Sequence, residues 1–125
     1  MPSPDLVRRL WIKRNQVKAR GRRTNRTPMA IVGAEHHRRK GVDHSGSCPT
    51  DLAPKLQREL TRKLGRPGTK HNGNYIGCCC EVRASHLVLR RDKRIDIDDI
   101  EFTDVLIVRT GGRMQRCPNC QIIFG

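Results

Sequence analysis

GNYIGCCCEVRASH, residues 73–86, runs from a loop-forming stretch through three consecutive cysteines into a glutamate and a helical pattern. The glycines and asparagine before the cysteines favour a loop, and residues 79–91 favour a helix. Thirty-six positions after Glu81 comes Cys117, in the segment RCPNC. The fold and the chemistry of the chain depend on whether these two cysteine segments meet.

Length and charge set the broad class of the protein. The chain has 125 residues, 35% of them hydrophobic and 3% aromatic, which predicts one domain with a modest core that a bound metal would help to stabilise. Its net charge is +14, and residues 1–40 contribute +10 of this, so a polyanionic partner is expected. The sequence has neither an apolar run that could span a membrane nor a signal peptide, and no membrane partner is expected.

The first 28 residues are predicted to be a basic N-terminal arm that contains one amphipathic helix. Leu6, Leu10 and Val17 lie at roughly helical spacing over residues 5–19. Residues 20–28 are polar and are expected to break the helix, and the whole arm could instead be a solvated, flexible segment. Contacts with nucleic-acid phosphates are assigned to seven cationic side chains of this arm: Arg8, Arg9, Lys13, Arg14, Arg20, Arg22 and Arg23.

The remaining residues, 29–125, are predicted to form one α/β domain with helices packed on a small sheet. The expected elements are, in order, a β-hairpin around HRRKG (37–41), a helix with Thr50 or Asp51 as N-cap and leucines at 52, 56, 60 and 64, a helix from about Cys79 to Arg91, a strand in EFTDVLIVRT (101–110), and a helical turn at CPNC (117–120). The near-continuous apolar centre of the strand is typical of a buried position.

Cys79, Cys117 and Cys120 are the candidate ligands of one zinc ion. Cys117 and Cys120 are three positions apart, which on the first turn of a helix places both sulfurs on one side, with Pro118 near N1. Cys79 begins its own helix, and the partial positive charge of helix N-termini favours thiolates. Three protein ligands leave the fourth tetrahedral position to water, the arrangement found in catalytic zinc sites.

Glu81 is the candidate catalytic residue. It follows Cys79 by two positions, so its carboxylate would lie beside the fourth zinc position without binding the metal. A carboxylate placed there can take a proton from water and pass it to a leaving amine.

A structural zinc site is the alternative that the same cysteines leave open. Such a site would use Cys117, Cys120 and two cysteines of the run 78–80, and Glu81 would only begin a helix. In the catalytic interpretation the other cysteines of that run pack in the core, and Cys48 is buried and inert. Close clustering together with a C-x-x-C favours metal binding over disulfides.

These motifs together resemble a known family. The segments CCE (79–81) and CPNC (117–120) resemble the signature of zinc-dependent nucleobase deaminases, [H/C]-x-E followed by P-C-x-x-C. The wider pattern is similar to the bacterial polymorphic-toxin deaminases, in particular the YwqJ-like group. The matching pieces are VDHSGS, APKLQREL, IGCCCEVRA, DVLIVRTGG and RCPNCQ, and Arg116 stands where the superfamily usually has a proline.

The resemblance implies a fold and a reaction. The fold would be a small, zinc-containing, cytidine-deaminase-like three-layer α/β fold with a β-hairpin, a further strand and helices on the sheet. The reaction would be hydrolytic deamination of an unpaired base in nucleic acid, cytosine to uracil, in single-stranded DNA rather than RNA. Glu81 would move the proton. His44 and Ser45 correspond to the part of the family's hairpin that faces the pocket and could contact base or sugar, or they could be ordinary polar residues at a strand end. Asn74 and Tyr75, before the zinc helix, could stack on or bond a base, or they could only form a loop.

The resemblance also implies a biological setting. The domain would be a bacterial toxin effector, made as the C-terminal part of a secreted polypeptide, active in the cytoplasm of the cell it enters and neutralised by a cognate immunity protein. Two other functions stay open: a non-catalytic zinc-stabilised module that binds nucleic acid, and a deaminase of free nucleosides or nucleotides. The charge of residues 1–40 argues against the second, because a small metabolite does not require it.

Overall fold

The computed structural model describes residues 2–71 and 73–125, so Met1 of the predicted arm and Asn72 of the predicted loop lie outside the described residues. The elements follow one another as α1 (Pro4–Thr24), β1 (Ala30–His36), β2 (Arg39–His44), α2 (Pro54–Lys63), β3 (Lys70–His71), β4 (Asn74–Tyr75), α3 (Cys80–Arg91), a 3-10 turn (Ile97–Asp99), β5 (Glu101–Phe102), β6 (Val105–Ile107), β7 (Arg113–Met114) and α4 (Pro118–Phe124). This confirms the predicted α/β class and the predicted hairpin.

The main sheet has the order β2-β1-β6-β7, with β5 also beside β1, and its pairings are antiparallel. Side chains of β1 alternate between two cores. Ala30, Val32 and Ala34 lie in the main core with residues of α2, α3 and α4, whereas Ile31 lies in a smaller core with residues of α1 and β6. Helices therefore cover both faces of the sheet.

The helix α1 packs on the sheet. Leu6, Leu10 and Val17 are buried, as their spacing predicted, and the last two share the smaller core. Ser3 caps the helix, because its Oγ accepts a hydrogen bond from the N–H of Leu6 while its own N–H donates to the buried carboxylate of Glu35 at 2.9 Å. The division between arm and domain stays a prediction, but α1 shares a core with the sheet.

The break predicted for residues 20–28 was wrong over its first five positions, because α1 continues to Thr24. The arginines of this stretch are good helix formers, which the prediction underweighted. Gly21, which is buried, lies where a Cβ would collide with Thr27, so a glycine is needed for the chain to fold back against the helix. Asn25 ends the helix in the left-handed conformation with φ 56°.

The strand predicted over residues 101–110 is two strands, β5 and β6, separated by a bulge. The register against β1 shifts by one residue between them. Thr103 fills the bulge: its N–H donates to the carbonyl oxygen of Gly33 at 2.9 Å, and its hydroxyl accepts from the N–H of Gly33 at 2.9 Å. The strand therefore remains attached to β1 on both sides of the interruption.

The helix α2 begins later than predicted. Its N-cap is Ala53 and not Thr50 or Asp51. The N–H of Ala53 donates to Nδ1 of His86, at 3.0 Å, and this buried imidazole on α3 supplies the capping contact that no nearby side chain provides. Leu56 is fully buried, as its position in the leucine repeat predicted.

Candidate metal centre

The three predicted ligands lie together where the N-termini of two helices meet. Cys79 is the N-cap of α3, Cys117 is the N-cap of α4, and Cys120 lies in the first turn of α4 after Pro118 at its first position. The three Sγ atoms lie within 4.8 Å of one another, and those of Cys79 and Cys117 are 3.1 Å apart. Three thiols in this arrangement could hold a metal ion such as zinc.

Hydrogen bonds among the thiols concentrate negative charge on one sulfur. The pKa of Cys117 is lowered because the thiols of Cys120 and Cys79 donate to its sulfur, as do the N–H groups of Cys120 and Asn119. The same bonds raise the pKa of Cys79 to about 12 and also raise that of Cys120, since both must keep their protons to donate to Cys117. A divalent cation removes this competition because it stabilises all three thiolates.

Glu81 lies in the first turn of α3 and is 3% exposed. Its Oε1 accepts a hydrogen bond from the thiol of Cys80 at 3.0 Å, while its Oε2 is buried without a hydrogen-bond partner. Its negative charge raises the pKa of both Cys79 and Cys120, so the carboxylate acts electrostatically on the thiol group. This oxygen forms an ion pair with Arg116, whose Nε lies 3.5 Å away, but it accepts no hydrogen bond and so keeps its lone pairs for a proton or a ligand.

The four-cysteine alternative is not the arrangement found. In the part of the chain that the structure describes, no fourth Cys, His, Asp or Glu atom joins the group within 4.8 Å. Cys80 points into the main core and donates to Glu81, and burial raises its pKa. Cys78 is used elsewhere, in a disulfide with Cys48.

The disulfide corrects the prediction for both of its cysteines. Cys48 is not an inert thiol and Cys78 is not only a packing residue, because the two are bonded. The bond joins the segment after β2 to the residue before Cys79, where the N–H of Gly46 also donates to the carbonyl of Cys78 at 3.4 Å. The hairpin end is thereby fixed beside Cys79, one of the three candidate metal ligands.

His44 and Ser45 lie at this hairpin end, and both are half-buried. Nδ1 of His44 donates to the carbonyl of Ser45 at 2.7 Å, and the Ser45 hydroxyl accepts from the N–H of Ala30 at 3.2 Å. The ring of His44 retains Nε2 for another contact, 3.9 Å from the Asp43 carboxylate. Substrate contact by either residue stays a prediction.

Asn74 and Tyr75 form β4 and reach the metal centre through α4. The side-chain N–H of Asn119 donates to the carbonyl of Asn74 at 3.2 Å. Tyr75 is 54% exposed, and the Lys70 ammonium lies 5.1 Å from the centre of its ring. An exposed aromatic ring suits base stacking, and this role too stays a prediction.

The cationic side chains assigned to phosphate contacts have unlike surroundings. Arg8 and Arg9 each form an ion pair with Asp5, and Arg14 donates to the carbonyls of Val108 and Arg109 and so fastens α1 to the sheet. The other members of the set, Lys13, Arg20, Arg22 and Arg23, form no ion pair within the described residues, and the three arginines among them are exposed. Contact with nucleic acid stays a prediction for all seven.

Two residues of the site were not singled out from the sequence. Arg116 places its Nε 3.5 Å from Oε2 of Glu81 and its guanidinium 4.9 Å from the centre of the Phe102 ring. Asn119 is 2% exposed and its Oδ1 has no hydrogen-bond partner. The signal for Arg116 was its position before the C-x-x-C, where a proline is usual. Asn119 lies between the two cysteines of that motif.

No protein-family model, curated protein or solved structure matches the chain. Separately, no helix among the described residues is long and apolar enough to cross a membrane.

Proposed function

We propose that this chain is a zinc-dependent hydrolase that deaminates a nucleobase in single-stranded nucleic acid, with cytosine in DNA as the preferred substrate. The observation that carries the proposal is the buried carboxylate of Glu81, with one oxygen free of hydrogen bonds, beside three thiols gathered at two helix N-termini. A purely structural zinc site has no use for such a carboxylate, which costs free energy to bury.

The order of elements also supports the proposal. The resemblance calls for a hairpin, a helix, a cysteine-bearing helix start, a strand and a final cysteine segment. These correspond to β1-β2, α2, the start of α3, β5-β6 and α4. The cytidine-deaminase-like three-layer arrangement is the finer fold that we propose on this basis.

Zinc, when bound by Cys79, Cys117 and Cys120, would supply the Lewis-acid chemistry that makes water a nucleophile near neutral pH. In the proposed reaction the water oxygen bonds to the ring carbon that carries the amine, the carbon–nitrogen bond breaks, and ammonia leaves. Glu81 accepts a proton from the attacking water at Oε2 and delivers it to the leaving nitrogen. Arg116, at 3.5 Å, limits the movement of that carboxylate.

Basic surface residues would hold the nucleic acid. The net charge of +14 and the exposed arginines at the end of α1 favour a polyanion over a free nucleoside. Only an unpaired or flipped base can reach a buried carboxylate, which favours single strands. A toxin effector with a cognate immunity protein remains the biological setting that we propose from the resemblance.

The test is to measure uracil formation and zinc content on the same preparations, with single-stranded DNA and RNA as substrates. Glu81→Gln keeps the volume and the hydrogen-bonding capacity of the side chain but cannot carry the proton. We expect zinc content near that of the wild type and a deamination rate lower by at least about 10²–10⁴-fold. An active wild type with an equally active Glu81→Gln variant would refute the mechanism.

The same experiment addresses the second candidate, a zinc-stabilised module that binds nucleic acid without catalysis. The exposed basic residues of α1 favour this candidate equally. It predicts that the wild type binds one zinc ion and binds oligonucleotides, but forms no uracil from any of them.

A further inference from the structure

The outer edge of β2 carries backbone groups that no strand of the described chain covers. β2 stands at one end of the sheet order. Val42 on β2 lies opposite Gly33 on β1. The N–H and C=O of Gly33 both bond to Thr103, on the side of β1 that faces away from β2, so they do not bond to Val42. Because pairing alternates along an antiparallel ladder, the N–H and C=O of Val42 and of Lys40 point away from β1.

Two hollows adjoin this edge, one of ≈ 260 Å³ towards α1 and one of ≈ 470 Å³ towards α3. Both share Lys40, Gly41 and Val42. The first is further lined by Arg9, Ile12, Lys13 and Gln16, and the second by Leu87, Arg90 and Arg91. Within the described residues neither hollow is lined by an aspartate, a glutamate or an aromatic side chain. The edge therefore lies between two basic walls with some apolar surface.

Gly41 brings the second wall close to the strand. A Cβ at this position would lie 2.7 Å from the Cβ of Leu87 and 3.0 Å from the carbonyl oxygen of Ala84. The glycine thus lets α3 approach β2 closely, which places Arg90 and Arg91, at the end of α3, along the path of any strand added to the edge.

The charge of the edge selects its occupant. A second copy of this chain, with a net charge of +14 and lysine and arginine at the same edge, would be repelled. A single-stranded nucleic acid would find carbonyl oxygens that its phosphates cannot use and no aromatic ring on which its bases could stack. An extended polypeptide with acidic side chains matches both the alternating donors and acceptors of the strand and the charge of the walls.

We propose that the outer edge of β2 docks an extended acidic segment of a partner protein, which adds to the sheet as a further strand. Its backbone would pair with Val42 and Lys40. Its acidic side chains would point to both faces, towards Lys13 on one side and Arg90 on the other. Ile12, which is 51% exposed, offers an apolar contact between these charges.

The probe is a fluorescein-labelled peptide of about ten residues that alternates pairs of glutamates with single valines or threonines. Fluorescence anisotropy would compare it with the same peptide N-methylated at every second backbone nitrogen, and with a single-stranded oligonucleotide of equal charge. Strand addition predicts binding at least about tenfold tighter for the unmodified peptide, because the methylated one cannot pair along one edge. Equal affinities of the two peptides would overturn the proposal. So would an oligonucleotide that binds more tightly than the unmodified peptide and displaces it from the protein.

Variants of the protein provide the matching test. Val42→Pro removes the outward N–H but leaves the bonds to β1, the position at which edge strands tolerate proline. Val42→Ala keeps the N–H and loses about as much side-chain packing as Val42→Pro does. We expect Val42→Pro to weaken binding of the unmodified peptide about tenfold or more and Val42→Ala by less than about threefold. Equal losses in the two variants would contradict strand addition, and if Val42→Pro does not fold, the comparison of the two peptides on the wild type decides.

Discussion

The Sγ atoms of Cys79 and Cys117 lie 3.1 Å apart although 38 positions separate the two residues in the sequence. Each residue is the N-cap of its helix, so the contact also brings the positive ends of two helix dipoles together. Like dipole ends repel each other, and thiolates between them offset that repulsion. The meeting of the two helices therefore depends on negative charge at this point, and a metal allows three thiolates there instead of one.

The first prediction is one zinc per chain, lost when a ligand is removed. Cys117→Ser should reduce zinc, measured by elemental mass spectrometry, from about one ion per chain to well below half. Because zinc binds the folded state, the wild type should gain about 2.7 kcal/mol of stability at free zinc 100 times the dissociation constant, and the variant almost none. Cys80→Ser is the matched control, since Cys80 lies next to Cys79 but is not one of the three clustered cysteines. This variant should bind as much zinc as the wild type.

The disulfide gives a second prediction. Reduction of the Cys48–Cys78 bond, which closes a loop with a sequence separation of 30, should lower the free energy of unfolding by about 2–4 kcal/mol. Denaturant titrations with and without reductant would measure this. Cys48→Ser should be insensitive to reductant. Alkylation of the wild type, unfolded in denaturant with a chelator present, should modify the other four cysteines and leave Cys48 and Cys78 unmodified until reductant is added. Labelling of Cys48 and Cys78 without reduction would contradict the pairing.

The role of α1 in nucleic-acid binding gives a third prediction. Deletion of residues 1–20 is not a clean test, because it removes Leu6, Leu10 and Val17 from the core. The triple change of Arg20, Arg22 and Arg23 to Gln leaves the core intact. It should reduce the slope of log K against log salt for a single strand by about 2, since each phosphate contact contributes about 0.7.

The control for that experiment is a triple change to Gln of three exposed cationic residues on α2, namely Arg58, Arg62 and Lys63. It removes the same charge from another face. An equal loss of slope in both variants would mean that the binding responds to total charge and not to the end of α1.

The clustering of the three candidate ligand cysteines could be predicted from the sequence because most of its geometry is local. Cys117 and Cys120 share one helical turn, Cys79 and Glu81 share another, and both turns begin at recognisable helix starts. Only the meeting of the two turns is a tertiary event, and it was predicted from the combination of the C-x-E and C-x-x-C segments, which resembles the deaminase signature. The position of Pro118 in the first turn of α4 follows from the same local rule.

The features that the sequence did not reveal depend on contacts between distant segments. The bulge at Thr103 exists because its hydroxyl and N–H bond to Gly33, 70 positions away in the sequence. The disulfide required Cys48 to lie beside Cys78, which no spacing rule specifies. The extension of α1 through Gly21 depends on Thr27 packing against it. The bulge and the disulfide depend on contacts that no local rule specifies, whereas the longer α1 also reflects helix-forming arginines that the prediction underweighted.

The last prediction concerns the pH dependence of stability and rests on His86. Burial lowers the pKa of this imidazole from 6.5, and the positive charge of Arg90 lowers it further, while Asp51 and Asp43 oppose the shift. Nδ1 must stay unprotonated because it accepts the N–H of Ala53. Below pH 6.5 the unfolded chain binds a proton on this imidazole before the folded chain does. The free energy of unfolding should therefore fall as the pH is lowered below 6.5, and this group should not affect it at higher pH.

His86→Gln can still accept the hydrogen bond from Ala53 but does not titrate. We expect the stability advantage of the wild type over His86→Gln, measured by denaturant titration, to be constant above about pH 7.5 and to shrink below pH 6.5 by at most about 1.4 kcal/mol per pH unit. Comparison of the two proteins at each pH cancels the contribution of the metal centre, which both share, and parallel stability curves from pH 8 to 5 would show that the folded state does not depress the pKa of His86.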